Sequence, residues 1–303
     1  MTKQLLMGNE AFAHAALEAG VRVVAGYPGT PSSEVIETIA KLHADGSAQG
    51  VHVEWSTNEK SALELLAGAA YCGARTLFTC KQVGLNVASD ALMSLNYVGV
   101  KGGTVLFVAD DPGPISSQTE QDTRRFGNFS KVPVLDPATP DQGFAMMQAA
   151  FELSEQYKTP VIMRPTTRVC HASTFFDVAE STQAKPVPEE GFQRDSRWVI
   201  FPKRAFEGHG EINERLRKIA VTYAADERFA RFNPMDERRI AGESTRFGIA
   251  AGGVSAAYAL EALRILEQRA DERGIHMPGY RFWQVGTPFP FPEVRVDEFL
   301  DGL

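Results

Sequence analysis

Three observations predict an α/β protein built on a parallel sheet. Short apolar runs alternate with stretches of helical periodicity through the first 165 residues. Breakers rich in Gly, Pro, Asp and Ser follow most of the strand-like runs. The same alternation resumes on a smaller scale near residue 246, after a charged stretch. A chain of 303 residues suits two domains with a connection. The divisions fall at 1–178 for the larger domain, 179–245 for a charged connector and 246–303 for a smaller second α/β domain.

The elements follow in order. Ala11, Ala15, Ala16 and Ala19 fall at helical spacing, and Gly20 ends that helix. Residues 21–25 read as a buried strand, stopped by Gly26-Tyr27-Pro28-Gly29-Thr30-Pro31-Ser32-Ser33. A helix begins near Pro31 with Val35, Ile36 and Ile39 inward. Strands are expected at 51–55, 75–79, 104–109 and 160–163, and helices at 58–72, 85–97 and 141–157. In the connector, 211–230 reads as an amphipathic helix with Ile212, Leu216, Ile219 and Tyr223 on one face, otherwise charged and solvated. The second domain shows a strand at 247–251, a helix at 256–270, a strand at 280–285 and a last helix at 293–300. Its Gly252-Gly253 turn between strand and helix could expose amide hydrogens to a ligand, a weak signal without further glycines.

Composition excludes several classes. A net charge of -7 argues against nucleic acid or an anionic membrane as the main partner. The N-terminus has no signal-peptide pattern, and no apolar run approaches the roughly 18 residues of a membrane span. Cys72, Cys80 and Cys170 are widely spaced, which suits reduced thiols in the cytoplasm and provides no CxxC cluster site. Neither a GxSxG elbow nor a Walker loop occurs.

In a parallel sheet, ligands gather beyond the carboxyl ends of strands. Three segments lie there. In Glu54-Trp55-Ser56-Thr57-Asn58-Glu59-Lys60, Glu59 opens the apolar stripe of Ala62, Leu63, Leu66 and Ala70, whereas Glu64 lies on another face. Two roles compete for Glu59: a capping box with Ser56, or a carboxyl kept partly protonated to exchange a proton with a ligand nitrogen. In Lys81-Gln82-Val83-Gly84-Leu85-Asn86-Val87, Lys81 is either an anion binder or a solvated charge, and Asn86 a cap or a ligand. The third segment, 109–122, is a long polar loop containing Asp110, Asp111, Ser116 and Ser117. Its acids lack the histidines of a typical metal site, and none is assigned.

Together with Gly286-Thr287-Pro288-Phe289-Pro290-Phe291-Pro292, these segments resemble α subunits of the indolepyruvate branch of the pyruvate:ferredoxin oxidoreductase family. The resemblance implies a thiamine-diphosphate pyrimidine-binding domain followed by the family's second α/β domain. It implies that Glu59 is catalytic and holds the aminopyrimidine N1′, promoting loss of the thiazolium C2 proton. Tyr27, Pro28, Gly29, Lys81, Gln82 and Asn86 are expected at the cofactor, and Thr30, Asp110, Asp111, Ser116 and Ser117 at the substrate. Pyruvate-specific members carry an arginine where Asp110-Asp111 stands here, which favours an arylpyruvate.

The expected reaction is oxidative decarboxylation of indolepyruvate or another arylpyruvate to the aryl-acetyl-CoA, with electrons passing to ferredoxin. The Gly-Asp-Gly and Asn that hold Mg²⁺ and the diphosphate do not occur as a pair here. That diphosphate-binding domain and the iron–sulfur clusters are therefore expected on a missing segment or a partner in an oligomer that contains a second oxidoreductase subunit. A scaffolding subunit without chemistry, or a non-oxidative thiamine-dependent decarboxylase, would share the same fold.

Overall fold

The computed structural model describes residues 1–240, 245, 247–301 and 303. The larger domain begins with Thr2–Met7 (β1), Gly8–Glu18 (α1), Val23–Gly26 (β2) and Ser33–Ala44 (α2). Ala48–Gln49 (β3), His52–Trp55 (β4), Glu59–Tyr71 (α3), Thr76–Lys81 (β5) and Gln82–Val98 (α4) follow. Thr104–Ala109 (β6), Thr123–Ser130 (α5), Val134–Leu135 (β7), Pro140–Tyr157 (α6) and Val161–Met163 (β8) complete its central sheet. Six strands lie in the order β4-β2-β5-β6-β8-β7, and every neighbouring pair is parallel.

The sheet is covered on both faces, which explains its nearly continuous apolar strands. Val105 and Phe107 of β6 pack with Phe12 of α1, Ile36 of α2 and Phe151 of α6. Their neighbours Leu106 and Val108 join Leu63 of α3 and Leu92 of α4 in the opposite layer. Burying both faces makes this sheet a rigid platform for the loops at its edge.

Thr167–His171 (α7) leads to Ser173–Val178 (β9), which pairs antiparallel with β1. Neither strand of this ribbon was legible as such, because β1 is mostly exposed and alternates weakly. Thr182–Gln183 (β10) adds in parallel to β3, so the start of the connector returns to the larger domain.

The connector is also less solvated than its charge predicts. Its helix spans Pro202–Ala225 (α8), with Pro at N1, where the missing N–H costs no helical hydrogen bond. Ile212, Ile219 and Tyr223 are buried as the periodicity predicts, and Ile219 and Tyr223 enter the core beneath α6. Asp226 ends α8 and accepts from the Arg228 amide at the start of Glu227–Ala230 (α9), so the expected single helix breaks in two. Phe229 and Phe232 extend the same core.

The smaller domain holds Met235–Arg238 (β11), Phe247–Gly252 (β12), Val254–Arg273 (α10), Tyr280–Val285 (β13) and Val294–Leu300 (α11). Its sheet runs β11-β13-β12, with β11 antiparallel and β12 parallel to β13. It thus recruits a strand from within the span read as connector. That edge strand reads Met-Asp-Glu-Arg and carries no apolar run to betray it. Residues 241–244 and 246, where the second domain is expected to begin, lie outside the described residues.

The two domains are joined by backbone. The Val134 amide donates to the Phe289 carbonyl at 2.7 Å, and the Asp136 amide to the Gly286 carbonyl at 2.8 Å. Ala138 packs with Ala256, Leu263 and Phe282 of the smaller domain.

Candidate functional site

Sheet order brings the candidate residues together. From β2 the chain crosses by way of α2 to β4, whereas from β5 it crosses through α4 to β6 on the other side. The connections therefore diverge between β2 and β5, and a crevice opens at the carboxyl ends of these strands. Tyr27–Thr30 follow β2, Glu59 follows β4, Lys81 and Gln82 end β5 and begin α4, and Asp110–Asp122 follow β6. All four loops lie on one edge, on adjacent strands.

Glu59 is the first residue of α3 and only 8% exposed. The capping box, one of the two roles open to Glu59, does not form. Asn58 is the N-cap and accepts from the Ser61 amide at 2.9 Å, while the Ser56 hydroxyl turns to Glu54. The extended backbone of Asn58 lets its short amide side chain reach that amide, so Glu59 is not needed as a cap. The Glu59 carboxylate makes no hydrogen bond or ion pair with any described residue. It rests instead against Gly84 in the first turn of α4, where a Cβ would lie 2.4 Å from Glu59 Oε1. Beneath it lies the fully buried Cys80, whose thiol is pushed well above its usual pKa by burial and then by the negative charge of Glu59. Glu64, by contrast, is exposed and sits 3.8 Å from Lys60.

The loop after β2 is braced from within and from α1. The Gly29 amide donates to Ser33 Oγ at 2.9 Å, and the Ser32 hydroxyl donates to the Gly29 carbonyl at 2.7 Å. Buried Asn9 donates to the Pro31 carbonyl and to Glu34, both at 2.8 Å. Gly29 passes close over the Lys81 stem, 3.1 Å from where a Cβ would stand. Tyr27, Pro28 and Thr30 remain exposed at the edge.

Lys81 donates to the neutral Gln118 amide at 2.8 Å and has no carboxylate partner among the described residues. Gln82 is buried; its nitrogen donates to the Thr119 carbonyl at 3.1 Å, while its Oε1 is buried without a partner. Asn86 is neither cap nor buried, since α4 begins at Gln82 and leaves it on an exposed face.

Asp110 and Asp111 have their backs to the crevice. Asp110 is fully buried, accepting from Arg164 Nε at 2.6 Å, from the Thr123 amide at 3.0 Å and from the Thr123 hydroxyl. Burial would raise the pKa of Asp111. The amides of Ser116, Ile115 and Ser117 and the Thr167 hydroxyl outweigh that and hold it at about 2. Both acids thus shape the loop and are not free to meet a substrate, which corrects their expected role. Ser116 and Ser117 serve through their amides at this acid; Ser116 is exposed, and the Ser117 hydroxyl is buried without a partner. Among the described residues no group of three or more His, Cys, Asp or Glu could hold a metal ion.

Asp136 corrects a second expectation. Its carboxylate lies against the Gly252-Gly253 turn, where a Cβ on Gly253 would come within 2.4 Å of Oδ1. The positive end of α10 is therefore already occupied by an internal anion. Arg164 bridges this aspartate, at 3.2 Å, to Asp110.

The sequence reading overlooked Asn9 and Arg164 and gave Gly84 and Gln118 no role. Two carried a signal: a glycine inside the first turn of a helix, and a charge directly after an apolar strand.

A parallel-sheet domain with a glutamate seated at its switch point defines a class. The chain belongs to the family described as pyruvate flavodoxin/ferredoxin oxidoreductase, thiamine diphosphate-binding, whose model matches residues 14–185. More particularly, it is 41% identical to the indolepyruvate oxidoreductase subunit IorA of Thermococcus kodakarensis, over 99% of this chain and 44% of that protein. It is 38% identical to IorA of Methanothermobacter thermautotrophicus, over 99% of this chain and 45% of that protein. The chain thus spans less than half the length of these relatives. In fold it is similar to a 2-oxoglutarate:ferredoxin oxidoreductase from Magnetococcus marinus solved with 2-oxoglutarate, coenzyme A and succinyl-CoA bound. The TM-score is 0.72 at 16% identity, covering 99% of this chain and 56% of that one. No helix among the described residues is long and apolar enough to cross a membrane.

Proposed function

We propose that this chain supplies the aminopyrimidine-binding half of a thiamine-diphosphate-dependent 2-oxoacid:ferredoxin oxidoreductase acting on an arylpyruvate. The observation that carries the reading is Glu59: a residue only 8% exposed at the edge of the crevice, whose carboxylate has no partner among the described residues, with Gly84 leaving room beside it. A carboxylate that no described side chain engages keeps its oxygens available to a ligand nitrogen at this edge. The residues present fit the cofactor's pyrimidine end, since Glu59 and the orphaned Gln82 Oε1 both offer oxygens to ring and amino nitrogens.

Thiamine diphosphate, when bound, supplies the nucleophilic carbon that attacks the 2-oxo group and the electron sink for loss of CO₂. Glu59 would hold the proton at N1′. The braced Tyr27–Thr30 loop would fix Thr30 toward the substrate, and Lys81 would offer an unneutralised cation at the same edge. Diphosphate, Mg²⁺ and iron–sulfur chemistry would come from outside these residues. In the net reaction an arylpyruvate and CoA give the aryl-acetyl-CoA, CO₂ and a proton, with two electrons leaving to ferredoxin. Sequence similarity to two IorA subunits supports the aryl substrate.

Titrating thiamine diphosphate with Mg²⁺ into this chain, alone and with candidate partner subunits, tests the reading. Binding that requires a partner is the expected result. No binding under any condition contradicts it and leaves a scaffolding subunit.

A further inference from the structure

A cavity of about 280 Å³ opens between the first turn of α4 and α5, lined by Leu85, Phe126, Phe129, Arg125 and the Gln121–Thr123 stretch. Its lining adjoins the candidate site along the chain. Leu85 follows Gly84, against which Glu59 rests, and the stretch 121–123 closes the loop that Lys81 and Gln82 hold through Gln118 and Thr119. Its volume falls just below the roughly 300 Å³ at which pockets for whole ligands begin. It is sized for one ring system of a ligand whose remainder lies elsewhere.

The lining has a definite chemistry. Phe126 and Phe129 stand one turn apart on α5, with ring centroids 6.1 Å apart and planes at 77°. A third ring entering beside them can meet one edge and one face, the arrangements aromatic pairs prefer. Phe126 is anchored against the core that contains Leu85, while Phe129 is 73% exposed, an unusual position for so large an apolar group. Arg125 lies at the rim, and its side chain has no hydrogen bond or ion pair with any described residue. Its neighbour Arg124, by contrast, is committed to Asp122. A guanidinium without an acid beside two aromatic rings is suited to lie over the face of a further, electron-rich ring.

We infer that this cavity receives the aryl group of the 2-oxoacid, with Leu85, Phe126 and Phe129 packing the ring and Arg125 stacking over it. The inference rests on the function proposed above and specifies which side chains select an aryl over an aliphatic substrate.

Steady-state kinetics of the assembled oxidoreductase containing this chain test it, comparing indolepyruvate and phenylpyruvate with a short aliphatic 2-oxoacid. Phe129→Ala and Arg125→Gln alter exposed residues and should leave the fold intact. Each is expected to raise KM for the two arylpyruvates roughly tenfold, the usual scale of losing a ring contact. KM for the aliphatic acid should remain within about twofold. Equal losses for aryl and aliphatic acids, or no loss for either, overturn the assignment of the cavity. If the unmodified enzyme turns over no 2-oxoacid, the proposed function falls and the cavity's role with it. Turnover indifferent to both variants removes the cavity alone.

Discussion

Glu59 and Glu64 stand five residues apart on one helix, and the difference between them is geometric. The first opens the buried stripe, and the second points to solvent beside Lys60. That contrast was legible, because helical spacing alone separates their faces. The choice between cap and functional acid was not, because it turned on Asn58 adopting an extended backbone and taking the cap itself. Gly84 was quoted for its place in a motif, yet its purpose emerges only when α4 is laid against α3. Replacing it with alanine would drive a methyl group into the Glu59 carboxylate, a contact that real Cβ atoms do not make. Gly84→Ala should fold, since alanine favours the helix by about 1 kcal/mol. The displaced carboxylate should nevertheless weaken thiamine diphosphate binding at least tenfold, as isothermal titration of the assembled enzyme would read. Unchanged affinity would mean that Glu59 is not held where the cofactor needs it.

Among the elements, the loop after β6 shows most clearly what a sequence hides. Its length and polarity mark it as functional, but Asp110 and Asp111 were read as substrate contacts when they face inward. Their partners, Arg164, Thr123 and Thr167, lie 54, 13 and 56 residues away, and nothing local announces them. Helix and strand positions came out well where burial is one-sided or complete, as for β6 and α6. They failed where an element is exposed, as for β1, β9 and β11. The loop makes a pH prediction. Asp111 is held at about 2, below the roughly 3.9 of an unfolded aspartate. A depressed carboxyl stabilises the fold above its unfolded pKa and loses that contribution as pH falls through the folded one. The loop should therefore loosen between about pH 4 and pH 2. Hydrogen-exchange protection of the Ile115, Ser116 and Ser117 amides should fall across that window, and Asp111→Asn should abolish the dependence. Protection that stays constant to pH 2 would separate the loop from this carboxylate.

At the scale of the whole molecule, the two domains are tied by a charge cluster as well as by backbone. Arg164, 4% exposed, bridges Asp110 in the loop of the larger domain to Asp136, which sits against the glycine turn that starts α10. The sequence reading offered that turn to an outside ligand; the fold fills it with an acid from the other domain. Arg164→Met removes the cation that touches both buried carboxylates, leaving Asp136, among the described residues, only the more distant Arg124 and Asp110 only Thr123, and should cost about 3–5 kcal/mol in denaturant unfolding. A loss under about 1 kcal/mol would show the cluster to be incidental.

The proposed chemistry depends most on Glu59 acting on a cofactor completed from elsewhere, so the direct test follows its proton. The rate at which thiamine diphosphate in the assembled enzyme exchanges its C2 proton for deuterium should fall roughly 10²–10⁴-fold in Glu59→Gln, with folding unchanged. Glu64→Gln should exchange at the unmodified rate. Exchange as fast in Glu59→Gln as in the unmodified enzyme would contradict the account.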